Sequence, residues 1–232
     1  SLYLSGYFGR DVFDLSQAFS HSYGNTLVNL RWNHLFSDQL FSNLSLVYSD
    51  YYYGMKIDLS GFKWDSWIRN ANLLYDFKHY LSDNFKLGYG LQGTYYDFAP
   101  GVITPFGTTT INYKALPHKY ALELGLYAEA EHKLSESLTL SYGLRWSSFY
   151  HLGKRSMPQY LRDQAVLFHP LQRIYQRGIP IGERHYKAGE LIDVYAHWEP
   201  RLSLSYAFDD HRSLKASYAR MAQYLHLISN TS

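Results

Sequence analysis

Between Ala121 and Trp146 the chain alternates hydrophobic and polar residues with a period of two. The first arm sets leucines and alanines against glutamate, glycine, tyrosine and lysine, and a second arm repeats the alternation after a turn at 135–137. Because successive side chains of a strand point to opposite sides of a sheet, the pattern predicts an antiparallel hairpin with one apolar and one polar face. Each arm is also long enough to cross a bilayer, which takes roughly 9–11 tilted residues.

The same alternation recurs along the chain and predicts about nine strands in total. The first of these is already under way at the N-terminus. Besides it and the two arms of the central hairpin, strands are predicted at 24–36, 40–49, 67–80, 85–95, 198–208 and 213–218. The segments between them are more irregular and are predicted to be loops at 9–23, 54–61, 98–117 and 151–193.

Two kinds of connection alternate between these strands. One kind is short and acidic, with Ser37-Asp38, Ser82-Asp83, Ser135-Glu136 and Asp209-Asp210, whereas the other is longer and richer in Tyr, Pro and Gly. Outer-membrane barrels combine short turns on one side with long loops on the other, and they carry aromatic residues near both strand ends. We therefore predict an all-β, antiparallel transmembrane β-barrel whose apolar row faces lipid. A soluble β-sandwich that serves as a binding module is the competing interpretation, because its local pattern is the same with the apolar row inside.

Composition narrows the function classes. The 232 residues include 24 Tyr, 13 Phe and 5 Trp, and no apolar run reaches the roughly 18 residues of a transmembrane helix. A net charge of +2 and the absence of a recognition motif argue against a nucleic-acid partner. With no Cys there is neither a disulfide nor a thiolate metal site. No nucleophile–base or cofactor-binding motif is present, so we predict neither an enzyme nor a bound cofactor.

An odd number of strands does not close a single-chain barrel, since these barrels use even numbers. The chain also starts within a strand and stops in what reads as a loop. We therefore expect residues 1–232 to be part of one larger outer-membrane barrel domain of about 22 strands, the size found in plugged transporters.

The closing stretch, 199–232, carries a more specific signal. Glu199-Pro200-Arg201 opens a strand, an Asp-rich turn follows, and the next strand leads into Arg220-Met221, Gln223-Tyr224, His226-Leu227 and 229–231. This stretch closely resembles a segment of TonB-dependent receptors, in particular those of Bacteroidetes-type bacteria.

The resemblance implies a receptor in the outer membrane of a Gram-negative bacterium, surrounded by lipid and lipopolysaccharide. Such receptors import a scarce, large nutrient such as a siderophore, haem, cobalamin, glycan or peptide. The inner-membrane proton gradient drives import through TonB, and some of these receptors work with a surface lipoprotein. No plug domain or TonB-contacting segment can be identified in this sequence. A passive porin or a structural barrel is the alternative function.

Four residues are candidate substrate contacts. Arg145 lies in the polar row with Glu123, Glu129, Glu131 and Arg201, which either contact plug or substrate or form cross-strand ion pairs in a hydrated wall. Arg173 and Arg177 belong to a basic loop that either steers an anionic ligand, holds lipopolysaccharide phosphates or is simply solvated. Tyr52, within a run of three tyrosines, stacks on a sugar or an aromatic chelator, or belongs to an aromatic belt.

His151, His169 and His185 share the basic loop, but their spacing matches no metal motif.

Overall fold

The computed structural model describes residues 1–15 and 18–225. Nine long strands form one antiparallel sheet in the order β1-β2-β3-β4-β5-β7-β8-β13-β14. They span Leu2–Leu15 (β1), Phe19–Leu35 (β2), Leu40–Ile57 (β3), Phe62–Ser82 (β4), Phe85–Pro105 (β5), Lys119–Lys133 (β7), Leu138–Leu152 (β8), Leu191–Asp209 (β13) and Arg212–Ala219 (β14). The predicted central hairpin is confirmed as β7 and β8, and the predicted number of long strands is confirmed as well.

Shorter elements occupy two of the connections. Strand β6 (Lys114–Ala115) pairs with β5. Between β8 and β13, strands β9 (Arg155–Tyr160) and β12 (Pro180–Tyr186) form one small sheet, and β10 (Val166–His169) and β11 (Ile174–Arg177) form another. A 3-10 turn at Leu161–Asp163 lies between β9 and β10. The prediction of an irregular segment at 151–193 was therefore wrong, because its backbone pairs locally in two nested hairpins.

The long strands extend further than the alternation indicated. The predicted loop at 9–23 was wrong, because β1 and β2 stay paired from Leu2↔Trp32 to Leu15↔Phe19. In the same way β3 runs through Gly54 to Ile57 and β5 continues to Pro105. Alternation is required only where one face of a strand meets an apolar phase. Beyond that level the backbone ladder continues without strict alternation, as at Val12-Phe13-Asp14, and a pattern search reads such a segment as loop.

All four short connections are confirmed as tight turns at one end of the sheet, which we call the turn end. In three of them a serine hydroxyl accepts a hydrogen bond from the backbone of a following residue: Ser37 Oγ from Leu40 at 3.1 Å, Ser82 Oγ from Asn84 at 3.3 Å and Ser135 Oγ from Leu138 at 3.1 Å. Asp209 Oδ1 does the same for Arg212 at 2.9 Å. Such side chains favour turns because they replace a backbone acceptor locally. The opposite end, called the loop end, carries the connections at 58–61, 106–118 and 153–190.

Each strand presents one apolar and one polar side, so the sheet has an apolar face and a polar face. One cross-strand row on the apolar face consists of aliphatic and aromatic side chains over eight strands: Leu2, Trp32, Leu44, Tyr75, Leu91, Leu126, Trp146 and Trp198. No other part of the described structure covers the side chains of this row: Leu126 is 54% exposed and Trp198 is 59% exposed. Among the described residues, the buried hydrophobic side chains are only Ala99, Ala121, Ala130 and Phe149.

A soluble sandwich buries its apolar face against a second layer. Here the long strands make their extensive contacts with hydrogen-bonded neighbours, so the sheet is one layer thick. An apolar face of this width is typical of a surface that meets lipid. The soluble alternative therefore does not fit the structure. Within 1–15 and 18–225, β1 and β14 are not paired with each other, so the sheet is open. Across these same ranges, no helix has the length and apolar character needed to cross a membrane.

Candidate functional site

The polar face is tied together by side-chain hydrogen bonds between strands. Arg145 on β8 reaches over β7 and donates from Nη2 to Gln92 Oε1 on β5 at 3.0 Å. It crosses Gly125, where an added Cβ would lie 2.6 Å from that same nitrogen. A side chain at position 125 would occupy the path of the guanidinium, so the glycine allows an arginine to join strands that are not neighbours.

Other pairs on this face join adjacent strands. Asn72 Nδ2 donates to Thr94 Oγ1 at 2.7 Å, and Lys86 Nζ lies 3.0 Å from Glu131 Oε1. The Tyr96 hydroxyl donates to Glu123 Oε2 at 3.4 Å. By register, all five residues that the sequence assigned to the polar row (Glu123, Glu129, Glu131, Arg145 and Arg201) lie on this face. The Lys86–Glu131 pair is a cross-strand ion pair of the kind the sequence allowed. The face is therefore a hydrated, cross-linked wall.

A segment that follows β14 returns over this wall. The Tyr224 hydroxyl donates to the carbonyl oxygen of Ser147 at 3.0 Å and lies 2.8 Å from Ser147 Oγ. Its ring stacks on Phe149 at 5.5 Å and on His197 at 5.8 Å between ring centroids. Ser147 Oγ donates in turn to Glu199, whose side chain is buried.

Sequence reasoning missed this cluster. Glu199 opens the stretch 199–232 that carried the more specific sequence signal, and this was the indication available. Nothing local indicated the return of Tyr224 to β8, because that contact joins residues that are distant in the chain.

Near the loop end, the polar face holds a depression of about 460 Å³. Its lining is mainly aromatic and aliphatic and includes Ile68, Phe98, Phe149, His151, Tyr195 and Leu225. The depression is suited to an apolar or aromatic group beside the imidazole ring of His151.

Two of the four predicted substrate contacts lie on the β10–β11 hairpin. Arg173 occupies its turn with φ 54, and its backbone N–H bonds the carbonyl of His169 at 2.8 Å. Arg177 Nε donates to the Tyr160 hydroxyl at 3.3 Å, and the guanidinium lies 6.0 Å from that ring centroid. The structure thus brings both arginines onto one small exposed sheet.

Tyr52 lies on the apolar face, on the other side of the sheet from Arg145. In the register it is opposite Gly24 and Trp67 and two positions beyond Asp50. Its hydroxyl donates to Asp65 Oδ1 at 2.6 Å, and its ring packs 5.9 Å from Trp67. The four predicted contacts therefore lie on three surfaces and do not form a single site.

The three histidines of the basic loop are also separate, on β8, β10 and β12. His185 Nδ1 lies 2.6 Å from Ser156 Oγ. In the part of the chain that the structure describes, no three His, Asp or Glu side chains are arranged to hold a metal ion.

The profile of a family described as "TonB dependent receptor-like, beta-barrel" matches residues 2–223. The chain belongs to the TonB-dependent receptor β-barrel family. It is accordingly a barrel segment of the Gram-negative outer membrane, with the polar face toward the lumen and the apolar face toward lipid. In such barrels the short turns are periplasmic and the long loops extracellular, so the turn end is periplasmic and the loop end extracellular.

Solved structures of TonB-dependent receptors share the fold. The Serratia marcescens hemophore receptor HasR, in complex with its hemophore HasA and heme, is 14% identical with a TM-score of 0.65, over 94% of this chain and 33% of that one. The copper transporter OprC is 15% identical with a TM-score of 0.60, over 90% of this chain and 33% of that one. The alcaligin receptor FauA from Bordetella pertussis is 15% identical with a TM-score of 0.55, over 94% of this chain and 35% of that one. The chain thus spans about a third of the length of these relatives. A search of curated protein sequences found no match.

Proposed function

We propose that this chain forms part of the wall of an active outer-membrane transporter, which imports a large scarce nutrient with energy delivered through TonB. The observation that carries the proposal is the contrast between the two faces. A cross-linked polar wall that includes Arg145 lies opposite an apolar row that runs unbroken over eight strands. A barrel wall of this kind encloses a hydrated lumen, which is the route that a polar cargo requires.

The proposed whole receptor is larger than this segment. Further strands complete a barrel of about 22 strands, a plug fills it, and TonB acts on the plug, as the family resemblance implies. Residues 1–232 then belong to one barrel domain, and a surface lipoprotein is the additional partner that the resemblance implies. The closer resemblance to Bacteroidetes-type receptors stays a prediction. We assign the chain to transport and not to catalysis.

Cargo identity is left to experiment, since three relatives with this fold are described with three different ligands: heme with a hemophore, copper and alcaligin. Fold alone does not fix function when specificity lies in the loops. We propose siderophore, haem, cobalamin, glycan and peptide as the candidate classes. We propose that Arg173 and Arg177 meet an anionic cargo first and that Arg145 contacts it within the lumen.

The test is a transport measurement in the native bacterium with the gene deleted and restored. Uptake of a radiolabelled ferric siderophore, haem, cobalamin, an oligosaccharide and a peptide is followed with and without a protonophore. We expect loss of high-affinity uptake of one cargo on deletion, and the same loss when the protonophore removes the proton gradient. Uptake that depends on the gene but continues with the protonophore would favour the passive porin instead.

A further inference from the structure

We propose that Arg145 has two alternative partners in the lumen wall, Gln92 and Glu199, and that the segment following β14 selects between them. In the structure the segment is docked on the wall and the arginine bonds Gln92. When the segment leaves the wall, the arginine turns to the carboxylate of Glu199. The proposal concerns a conformational switch inside the barrel and goes beyond the proposed import function.

The observed partner of Arg145 is the more distant of the two and the weaker acceptor. Glu199 on β13 lies directly opposite Arg145 in the register, one strand away. Gln92 lies on β5, two strands away, with β7 between. Neighbouring strands are about 4.8 Å apart, and a hydrogen bond from arginine to a carboxylate is roughly twice as strong as one to a neutral acceptor. Another interaction therefore keeps the arginine from Glu199.

Glu199 is buried, unlike other carboxylates of the polar face. Glu129 and Glu131 are exposed, whereas Glu199 is only 4% exposed. Its carboxylate accepts a hydrogen bond from Ser147 Oγ. Within the described ranges, no Lys, Arg or His side chain forms an ion pair with it. Burial of a carboxylate is costly unless a cation or several donors compensate it, so Glu199 gains from a cation.

The segment after β14 accounts for the present arrangement. The Tyr224 hydroxyl lies 2.8 Å from Ser147 Oγ and donates to the Ser147 carbonyl oxygen at 3.0 Å. The tyrosine ring stacks on Phe149 and His197, which flank Ser147 and Glu199 on the same face. The docked tyrosine thus covers this cluster and fixes Ser147 as the donor to Glu199, and the arginine bonds Gln92 instead.

Arg145 has room to turn. A depression of about 280 Å³ lies beside it on the polar face and reaches Arg201 on β13. Gly143, two residues before the arginine on β8, contributes to the lining and has no side chain to fill the space. The guanidinium can therefore swing from the β5 side to the β13 side without moving a strand.

Three other charged side chains line this depression: Asp76, Glu129 and Arg201. Asp76 already accepts a hydrogen bond from the Tyr127 hydroxyl. Glu129 is diagonal to Arg145 across the strands, at about 7–8 Å. Arg201 follows Glu199 by two residues on the same strand, about 7 Å along it. Arg145 and Glu199 are directly opposed, so they are the favoured pair once Glu199 is released.

The switch connects the extracellular end of the lumen with the charge pattern of its wall. The same segment lines the depression of about 460 Å³ near the loop end through Leu225. A molecule that enters this depression and displaces the segment also releases Glu199. The positive charge of Arg145 then moves from the β5 side of the lumen to the β13 side, so one element with two arrangements couples the two places.

The experiment is a crystal structure of the intact receptor that carries Ser147→Ala/Tyr224→Phe. This variant removes both hydroxyls beside Glu199 and keeps the tyrosine-derived ring. We expect the guanidinium of Arg145 within about 4 Å of the Glu199 carboxylate and no longer on Gln92. The matched control Ser141→Ala/Tyr218→Phe makes the same chemical changes elsewhere on β8 and β14 and should keep the bond to Gln92. An arginine still on Gln92 in the test variant would overturn the proposal.

A second measurement follows the same switch in solution. Gln92→Ala should lower the urea midpoint of the unsubstituted receptor by a few tenths of a molar and leave that of Ser147→Ala/Tyr224→Phe unchanged, because there the arginine has already left Gln92. An equal shift in both backgrounds contradicts the switch. If the double variant fails to fold, Tyr224→Phe replaces it and should give a smaller shift than the unsubstituted receptor, with an equal shift again contradicting the proposal. Neither measurement involves cargo or TonB, so its failure leaves the transport proposal untouched.

Discussion

The Tyr224 hydroxyl donates a hydrogen bond to the carbonyl oxygen of Ser147 at 3.0 Å, although the two residues are 77 positions apart. Through this bond the segment that follows β14 is held against the lumen face of β8. Ser147 is fully buried beneath it and bonds the buried carboxylate of Glu199. The inner wall is therefore shaped by the returning chain as well as by the strands.

Replacing Tyr224 by Phe should loosen this segment while leaving the sheet intact. The variant keeps the ring stacked on Phe149 but loses the hydroxyl, and a net hydrogen bond contributes about 1 kcal/mol. We expect trypsin to cleave the folded receptor after Arg220 about fivefold faster. The matched control is Tyr218→Phe, whose ring lies on the lipid-facing side and is 62% exposed. Equal cleavage of both variants would show that the hydroxyl does not hold the segment.

Gly125→Ala should break the link between Arg145 and Gln92. The new methyl group meets the far end of the arginine, which moves aside and leaves its 3.0 Å bond. We expect a loss of about 1 kcal/mol in the free energy of unfolding. Urea midpoints followed by heat-modifiable gel mobility give the measurement. Gly6→Ala is the control, because its Cβ would meet only the Leu27 carbonyl oxygen at 3.6 Å. If the urea midpoint of Gly125→Ala is no lower than that of Gly6→Ala, Gly125 is not needed for the bond between Arg145 and Gln92.

Leu73 and Leu74 are neighbours that point to opposite faces, so they test sidedness directly. Leu73→Arg places a charge in lipid and should cost about 2–4 kcal/mol of stability near the middle of the membrane. Leu74→Arg places the same charge in the hydrated lumen and should cost much less. Refolding yield into detergent micelles compares the two. A larger cost at position 74 would reverse the assignment of the faces.

The β10–β11 hairpin should control capture of an anionic cargo. Arg173→Ser/Arg177→Ser should lower the association rate of the cargo several-fold at low salt and less at high salt, because electrostatic steering is screened. Stopped-flow binding to the purified receptor measures this rate. The control Lys133→Gln/Arg212→Gln removes two cations at the turn end and should leave the rate unchanged. A rate unaffected by the hairpin substitutions would remove both arginines from the ligand path.

Arg212 and the backbone N–H of His211 hold the pKa of Asp209 below its ordinary value. The folded pKa is depressed, so the contribution of this carboxylate to stability is present above the ordinary carboxyl pKa of about 3.9. It is lost as the pH falls through the lower folded value. Arg212→Gln should raise the pKa of Asp209 toward ordinary, which carboxyl carbon NMR shifts can follow. An unchanged titration midpoint would show that the arginine is not the main cause.

Local pattern was sufficient for much of the architecture. Alternation from Leu122 to Leu144 fixed two strands and their faces, because a pleated backbone converts a period of two into two sides. The turns at Ser37, Ser135 and Asp209 were evident for an equally local reason, since each side chain bonds backbone only two or three residues away. The assignment of Arg145 to the polar row followed from the same rule.

The tertiary structure decided what depends on register and on distant contacts. It extended β1 and β2 through the predicted loop at 9–23, because paired backbones beyond the lipid need no alternation. It placed Tyr52 on the outer side of the wall. Tyr52 is six residues after Leu46 and therefore shares its face, but only because β3 continues without a break between them. It also brought Tyr224 onto Ser147, a contact that no periodicity encodes because its partners belong to different parts of the chain.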